Sequence, residues 1–168
     1  MDQNKPRLWS AIFNRDSRDE TREMLDFLRG SPLFGSLSKR ELRSIADIAH
    51  KRSYQEGEYV FRKGQPGAAM FIIRRGEVEI IDHDGRDQET IIANLGPNAF
   101  FGELALLDDT PRSASVKACS TTEICAFFRT DLERLLAAFP QIGMQVYRSL
   151  ALIIGNRLKK SNAQLFNQ

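Results

Sequence analysis

Along the middle of the chain, apolar and polar positions alternate in short runs, and glycines separate the runs. Glu77-Val78-Glu79-Ile80 sets two aliphatic side chains on one face and two glutamates on the other, the pattern of a half-buried strand. Seven of the 11 glycines (Gly57, Gly64, Gly67, Gly76, Gly85, Gly96 and Gly102) fall between residues 57 and 102, spaced like turns between short strands. Asp82-His83-Asp84-Gly85, lying between Ile81 and Ile91, reads as a hairpin tip, because Asp-Gly supplies the positive backbone torsions of a tight turn. A further hairpin is expected from Ala114 to Phe128, folding near Thr121-Thr122. Many short strands with turns at such intervals predict a sandwich, roll or barrel of antiparallel sheet over residues 51–129.

The flanks follow a helical period instead. Ser17 with Glu20, and Ser38 with Glu41, match the capping box, in which hydroxyl and carboxylate satisfy free NH groups at a helix start. The first helix aligns Met24, Leu25 and Leu28 and stops at Gly30 before Pro32; the second aligns Leu42, Ile45, Ala46 and Ala49. Thr130 with Glu133 caps a third, bearing Leu132, Leu135, Leu136 and Phe139, and Pro140 marks a break. A longer helix then runs to about Ser161, with Val146, Leu150, Ile153, Arg157 and Ser161 in one row and Tyr147, Ile154 and Leu158 beside it. That wide belt leaves two readings open: one face on the β unit and another on a second subunit, or a single helix packed on its own domain. Residues 1–16, with Leu8, Trp9, Ile12 and Phe13 among basic residues, read as an N-terminal arm. The expected plan is one domain over 17–168, with helices over 17–50, a β unit over 51–129 and C-terminal helices over 130–163.

A length of 168 residues suffices for one core without a metal or disulfide, and 42% apolar with 27% charged residues is a soluble, globular balance. The net charge of +2 hides a segregation: residues 1–56 carry +2, 57–116 carry −4, and 117–168 carry +4. A nonspecific nucleic-acid surface needs a dense basic face, and only Arg157, Lys159 and Lys160 approach one. The apolar stretch Leu150 to Ile154 is far short of the roughly 20 residues of a membrane span, and Met1 to Pro6 contains no secretory signal. A cytoplasmic protein without membrane contact is expected. Cys119 and Cys125 read as reduced thiols packed in sheet. His50 and His83 read as a helix-end and a turn residue, and two histidines cannot build a three-histidine metal site. Neither a metal nor enzyme chemistry is expected.

The segment Phe101-Gly102-Glu103-Leu104-Ala105-Leu106-Leu107, then Asp108-Asp109-Thr110, then Pro111-Arg112-Ser113-Ala114-Ser115-Val116 stands apart. Glycine lets a ligand approach the backbone, and the start of a short helix offers unpaired NH groups to an anion. In an acidic segment, anion binding must come from a few aimed donors. The planar fork of Arg112 fits two oxygens of one phosphate. Glu103 suits hydrogen bonds from sugar hydroxyls, and small side chains at Ser113 and Ala114 leave their NH groups accessible. The competing readings are a helix-start carboxylate at Glu103 and an ion pair of Arg112 with Asp108 or Asp109.

This stretch resembles the phosphate-binding cassette of cyclic-nucleotide-binding domains, as in catabolite activator proteins, protein kinase A regulatory subunits and cyclic-nucleotide-gated channels. The family pattern, FGE with an apolar run and then PR[ST]A, stands here as Phe101-Gly102-Glu103 and Pro111-Arg112-Ser113-Ala114. A weaker likeness covers roughly residues 24–165. The resemblance implies a mainly β fold with α flanks: a double-stranded β-helix, a jelly-roll-like β-roll, with N-terminal helices and a long C-terminal helix. It implies that Glu103 holds the ribose 2'-hydroxyl and Arg112 the exocyclic phosphate oxygens, with Ser113, Ala114, Gly102 and Leu104 adding contacts. Ile80, Ile92 and Ala93 would form an apolar wall near ribose and base. A side chain of the last helix would cap the purine, with Arg157, Leu158, Ser161 and Asn162 as candidates that no motif distinguishes.

The function expected on this basis is a regulatory sensor of a cyclic mononucleotide, cAMP before cGMP, signalling through the C-terminal helix to a partner or a second copy. The alternative is a degenerate β-roll that mediates protein contacts without nucleotide. Catabolite activators carry a winged helix-turn-helix after the long helix, whereas this sequence ends at Gln168, so direct DNA binding is not expected.

Overall fold

The computed structural model describes residues 6–83 and 89–166. Helix α1 spans Pro6–Gly30 without interruption, so the helix start expected at Ser17 is not there. Proline suits a first turn, and nothing between Pro6 and Gly30 breaks a helix, so Ser17 sits in its interior. The side chains of Leu8, Trp9, Ile12 and Phe13 lie outside the described residues. Helix α2 (Lys39–Ala46) starts as its sequence reads: the Ser38 hydroxyl accepts from Glu41 NH, and the Glu41 carboxylate accepts from Ser38 NH at 2.7 Å.

Eight strands follow: β1 (His50–Tyr54), β2 (Tyr59–Phe61), β3 (Ala69–Arg75), β4 (Val78–His83), β5 (Glu89–Leu95), β6 (Phe100–Phe101), β7 (Ser115–Ala118) and β8 (Thr122–Phe128). They form two four-stranded antiparallel sheets, ordered β1-β8-β3-β6 and β2-β7-β4-β5. With helices at both ends, this is the expected β-roll. β4 and β5 pair as expected, with Ile81 opposite Ile91; the hairpin tip between them, including Asp84 and Gly85, lies outside the described residues.

The hairpin expected from Ala114 to Phe128 does not form. β7 pairs with β2 and β4, whereas β8 pairs with β1 and β3, so the chain crosses between sheets at residues 119–121. The crossing puts Val116 of β7 and Ala126 of β8 in one core from two sheets instead of side by side in one. The corner packs tightly against the β3–β4 turn. Thr122 Oγ donates to the Glu77 and Ser120 carbonyls, and a β-carbon on Gly76 would meet the Thr121 carbonyl at 2.5 Å.

The central strands explain why the core is split in two. β3 is buried on both faces, with Phe71 and Ile73 turned into the roll and Met70 and Ile72 turned toward the helices. β8 repeats the arrangement, with Ile124 and Ala126 inside and Cys125 and Phe127 outside. Each of these larger side chains, fully buried, contributes about 1.5–3 kcal/mol.

Helix α3 (Arg129–Ala138) begins one residue before the expected cap at Thr130. β8 runs directly into it, Arg129 NH donates to the Ala68 carbonyl at 2.9 Å, and no side chain caps the start. Pro140 opens α4 (Pro140–Phe166), which anchors itself with Ile142, Val146 and Leu150 and leaves Met144, Tyr147 and Leu158 exposed. No described helix is long and apolar enough to cross a membrane.

Candidate functional site

β6 ends at Gly102, whose φ of 70° turns the strand into one 3-10 turn, Glu103–Leu106. That torsion favours glycine, and so does the space beside it: a β-carbon there would stand 2.7 Å from Nη1 of Arg112. Glycine at 102 thus makes room for the arginine.

Arg112 is fixed through its backbone by the loop between β2 and β3. Its NH donates to the Gln65 carbonyl and its carbonyl accepts from Gly64 NH, each at 2.8 Å. Its side chain donates from Nη2 to the Ala69 carbonyl at 2.7 Å and from Nη1 to the Gly102 carbonyl at 3.3 Å. The guanidinium lies 4.1 Å from the centre of the Phe61 ring and 5.5 Å from that of Phe71. The residue is only 9% exposed, and burial pulls its pKa below the ordinary arginine value. Its Nε is buried with no partner among the described residues. Such a group is expensive to bury until an anion meets it.

The alternative ion pair with Asp108 or Asp109 is not made. Arg129 takes those acceptors, donating from Nη1 to the Asp108 carbonyl at 2.6 Å and from Nη2 to the Asp109 carboxylate. The Asp108 carboxylate accepts from the Thr110 hydroxyl at 2.6 Å and from its NH at 3.1 Å, which lowers its pKa.

Glu103 is buried, and it does more than open a helical turn. Arg157 of α4 donates from Nη1 to its carboxylate and from Nη2 to the Phe100 carbonyl, the latter at 3.1 Å. The Arg157 guanidinium lies 4.6 Å from the centre of the Phe100 ring. A cavity of about 430 Å³ opens between these groups, with Gly102, Glu103, Leu104, Arg112, Ser113 and Ala114 along one side. Ile80, Ile92 and Ala93 from β4 and β5 form part of the opposite, apolar wall. The structure therefore brings all nine expected residues to one space. Of the four residues named on the last helix, Arg157 lines the cavity, whereas Leu158, Ser161 and Asn162 are exposed and do not.

Phe61, Phe101 and Thr110 also line the cavity without having been singled out. Phe61 lies on β2, far from the cassette in sequence, and no local pattern marks it as the ring beneath Arg112. The arrangement offers a cation for an anionic group, a carboxylate for hydroxyls and an apolar surface for a flat ring.

No group of three or more metal-binding side chains exists among the described residues. His50 opens β1 instead of ending a helix, and its Nε2 lies 3.1 Å from the Asp131 carboxylate. The side chain of His83 lies outside the described residues. Cys125 is buried beside Met24, and Cys119 is half-buried in the crossing.

Two facing sheets, a glycine-started turn and a buried arginine over a half-open cavity define a ligand-binding β-roll. The family model described as "Cyclic nucleotide-binding domain" matches residues 51–139, and the chain belongs to that family. It is 33% identical over 138 residues to the cyclic AMP receptor protein of Thermus thermophilus, covering 82% of this chain and 62% of that protein. It is 36% identical to a cAMP-dependent protein kinase regulatory subunit of Emericella nidulans, over 82% of this chain but only 34% of the subunit. A cyclic nucleotide-binding domain from Methylobacillus flagellatus superposes with a TM-score of 0.76 at 28% identity, covering 88% of this chain and 83% of that one.

Proposed function

We propose that this chain is a regulatory sensor that binds a cyclic mononucleotide without transforming it, with cAMP its first ligand and cGMP the competitor. Arg112 meets the exocyclic phosphate oxygens, aided by Ser113, Ala114 and the backbone near Gly102 and Leu104. Glu103 accepts from the ribose 2'-hydroxyl, and Ile80, Ile92 and Ala93 face ribose and base. The observation that carries this reading is Arg112: a buried guanidinium with an unmatched Nε and no carboxylate partner among the described residues, at the wall of the cavity.

The choice of cAMP draws on the names of the relatives, a cyclic AMP receptor and a cAMP-dependent kinase subunit. Binding without chemistry fits the ionisable groups lining the cavity: one carboxylate already paired with Arg157, and two guanidinium groups that keep their protons. Output follows if ligand prefers one of two placements of α4. The exposed row of Met144, Tyr147 and Leu158 is where a partner chain or second copy would receive the signal.

Calorimetry with cAMP tests the site. A charge-assisted hydrogen bond contributes roughly 1.5–3 kcal/mol, so Arg112→Lys, which keeps the charge but loses the fork, weakens binding about tenfold to a hundredfold. Equal affinity in the two proteins would refute the role given to Arg112. Competition by cGMP against a fluorescent cAMP analogue decides the base.

A further inference from the structure

We infer that Arg157 sets the net charge of the cavity and thereby selects a ligand bearing a single negative charge. This rests on the nucleotide reading above and adds a residue that determines which phosphate chemistry is accepted. Among the described residues, the charged side chains lining the cavity are Glu103, Arg112 and Arg157. Both guanidinium groups stay protonated, and Arg157 takes up the negative charge of Glu103. One positive charge, that of Arg112, is left without a counter-charge. A phosphodiester ring carries one negative charge and closes the balance. A phosphate monoester carries about 1.5–2 at neutral pH and leaves surplus charge against a largely apolar wall, where it is expensive.

Without Arg157 the balance fails in the other direction. The Glu103 carboxylate would lose its partner in a cavity that must also receive the ligand's anion, and the two negative charges would repel across a poorly solvated gap. The geometry favours this role over that of a lid for the base. The N–H groups of Arg157 are spent on Glu103 and the Phe100 carbonyl, at the end of the cavity where the sugar hydroxyls bind, and its planar group lies over Phe100. The same contact fastens α4, because residues 158–163 beyond it are all exposed.

The test uses the full chain, its Arg157→Gln and Arg157→Lys variants, and four probes: cAMP, cGMP, cyclic UMP and 5'-AMP, each titrated by calorimetry. Wild type is expected to prefer cAMP over 5'-AMP, and Arg157→Gln to weaken all three cyclic nucleotides by a common factor, on the order of tenfold. Arg157→Lys keeps the charge and is expected to restore most of the loss. Losses that differ between purine and pyrimidine would assign Arg157 to the base and overturn the inference. So would Arg157→Lys as weak as Arg157→Gln, or Arg157→Gln as tight as wild type. Wild type that binds no cyclic nucleotide overturns the functional reading as well, whereas wild-type binding with an indifferent Arg157→Gln overturns this inference alone. Circular dichroism and thermal melting check the fold; if Arg157→Gln fails to fold, Arg157→Lys and the preference of wild type between cAMP and 5'-AMP decide.

Discussion

Arg129, the first residue of α3, grips Asp109 in the turn that leads to Arg112. One guanidinium reaches both the Asp109 carboxylate and the Asp108 carbonyl, so the cassette is tied to the C-terminal helices by a side chain as well as by the chain itself. α3 in turn shares a core with α4 through Leu132, Leu136, Ile142 and Val146. Movement of the cassette on binding is thus passed to α3.

Arg129→Ala should therefore act mainly on coupling. The Asp109 end is exposed, so the change in stability is expected to stay near 1 kcal/mol or below. Hydrogen exchange should show residues 107–111 exchanging faster, and added cAMP should protect α3 less than in wild type. Unchanged exchange in both regions would show that the tether is idle.

Gly102→Ala tests the fit between turn and arginine. The left-handed torsion alone costs about 1–2 kcal/mol for a residue with a β-carbon, and the methyl would also press on Arg112 Nη1. A lower melting temperature and at least a roughly tenfold loss of cAMP affinity in calorimetry are expected, since the displaced group contributes a charge-assisted hydrogen bond.

Cys125 provides a pH test unrelated to ligand. Burial pushes its thiol up to about 11, above the value of an exposed thiol. Because the folded pKa is the higher one, the protonated thiol favours the folded state below about pH 9, and that contribution is lost as pH rises from 9 through 11. At one to two pKa steps the loss is on the order of 2 kcal/mol. Denaturant melts at pH 8 and 10.5 should show it, and Cys125→Ser should flatten the difference. A thiol reagent at pH 8 should leave Cys125 untouched until guanidinium is added.

The two faces of α4 should respond differently to substitution. Leu150→Ala, at a buried position, is expected to lower stability by about 2–5 kcal/mol. Leu158→Gln, at an exposed one, should change the melt of an isolated chain by no more than about 0.5 kcal/mol. If α4 receives a second copy, the same Leu158→Gln lowers the sedimentation-derived dimer fraction; an unchanged dimer removes this face from the signalling path.

Local signals were readable where the interaction that uses them is local. Ser38 and Glu41 sit three residues apart and cap α2 as their spacing demands. Thr130 and Glu133 have the same spacing, yet β8 had already delivered the chain into a helix at Arg129, with a backbone bond to Ala68 from a distant loop. The stretch from Ala114 to Phe128 looked like a hairpin because its two runs are neighbours, but each strand buries more by pairing in a separate sheet.

The cassette from Phe101 to Ala114 is written in order along the chain, so identity and spacing alone marked its glycine, carboxylate and arginine, and the alternating core strands fixed the class of fold. The partners of those groups belong to the tertiary structure. Phe61 and the Ala69 carbonyl that seat Arg112, the Arg129 that withdraws Asp109 from it, and the Arg157 that meets Glu103 all arrive from other elements. A one-dimensional pattern records which chemistry a short segment can offer. Which charge remains unmatched at the end depends on distances that only packing sets.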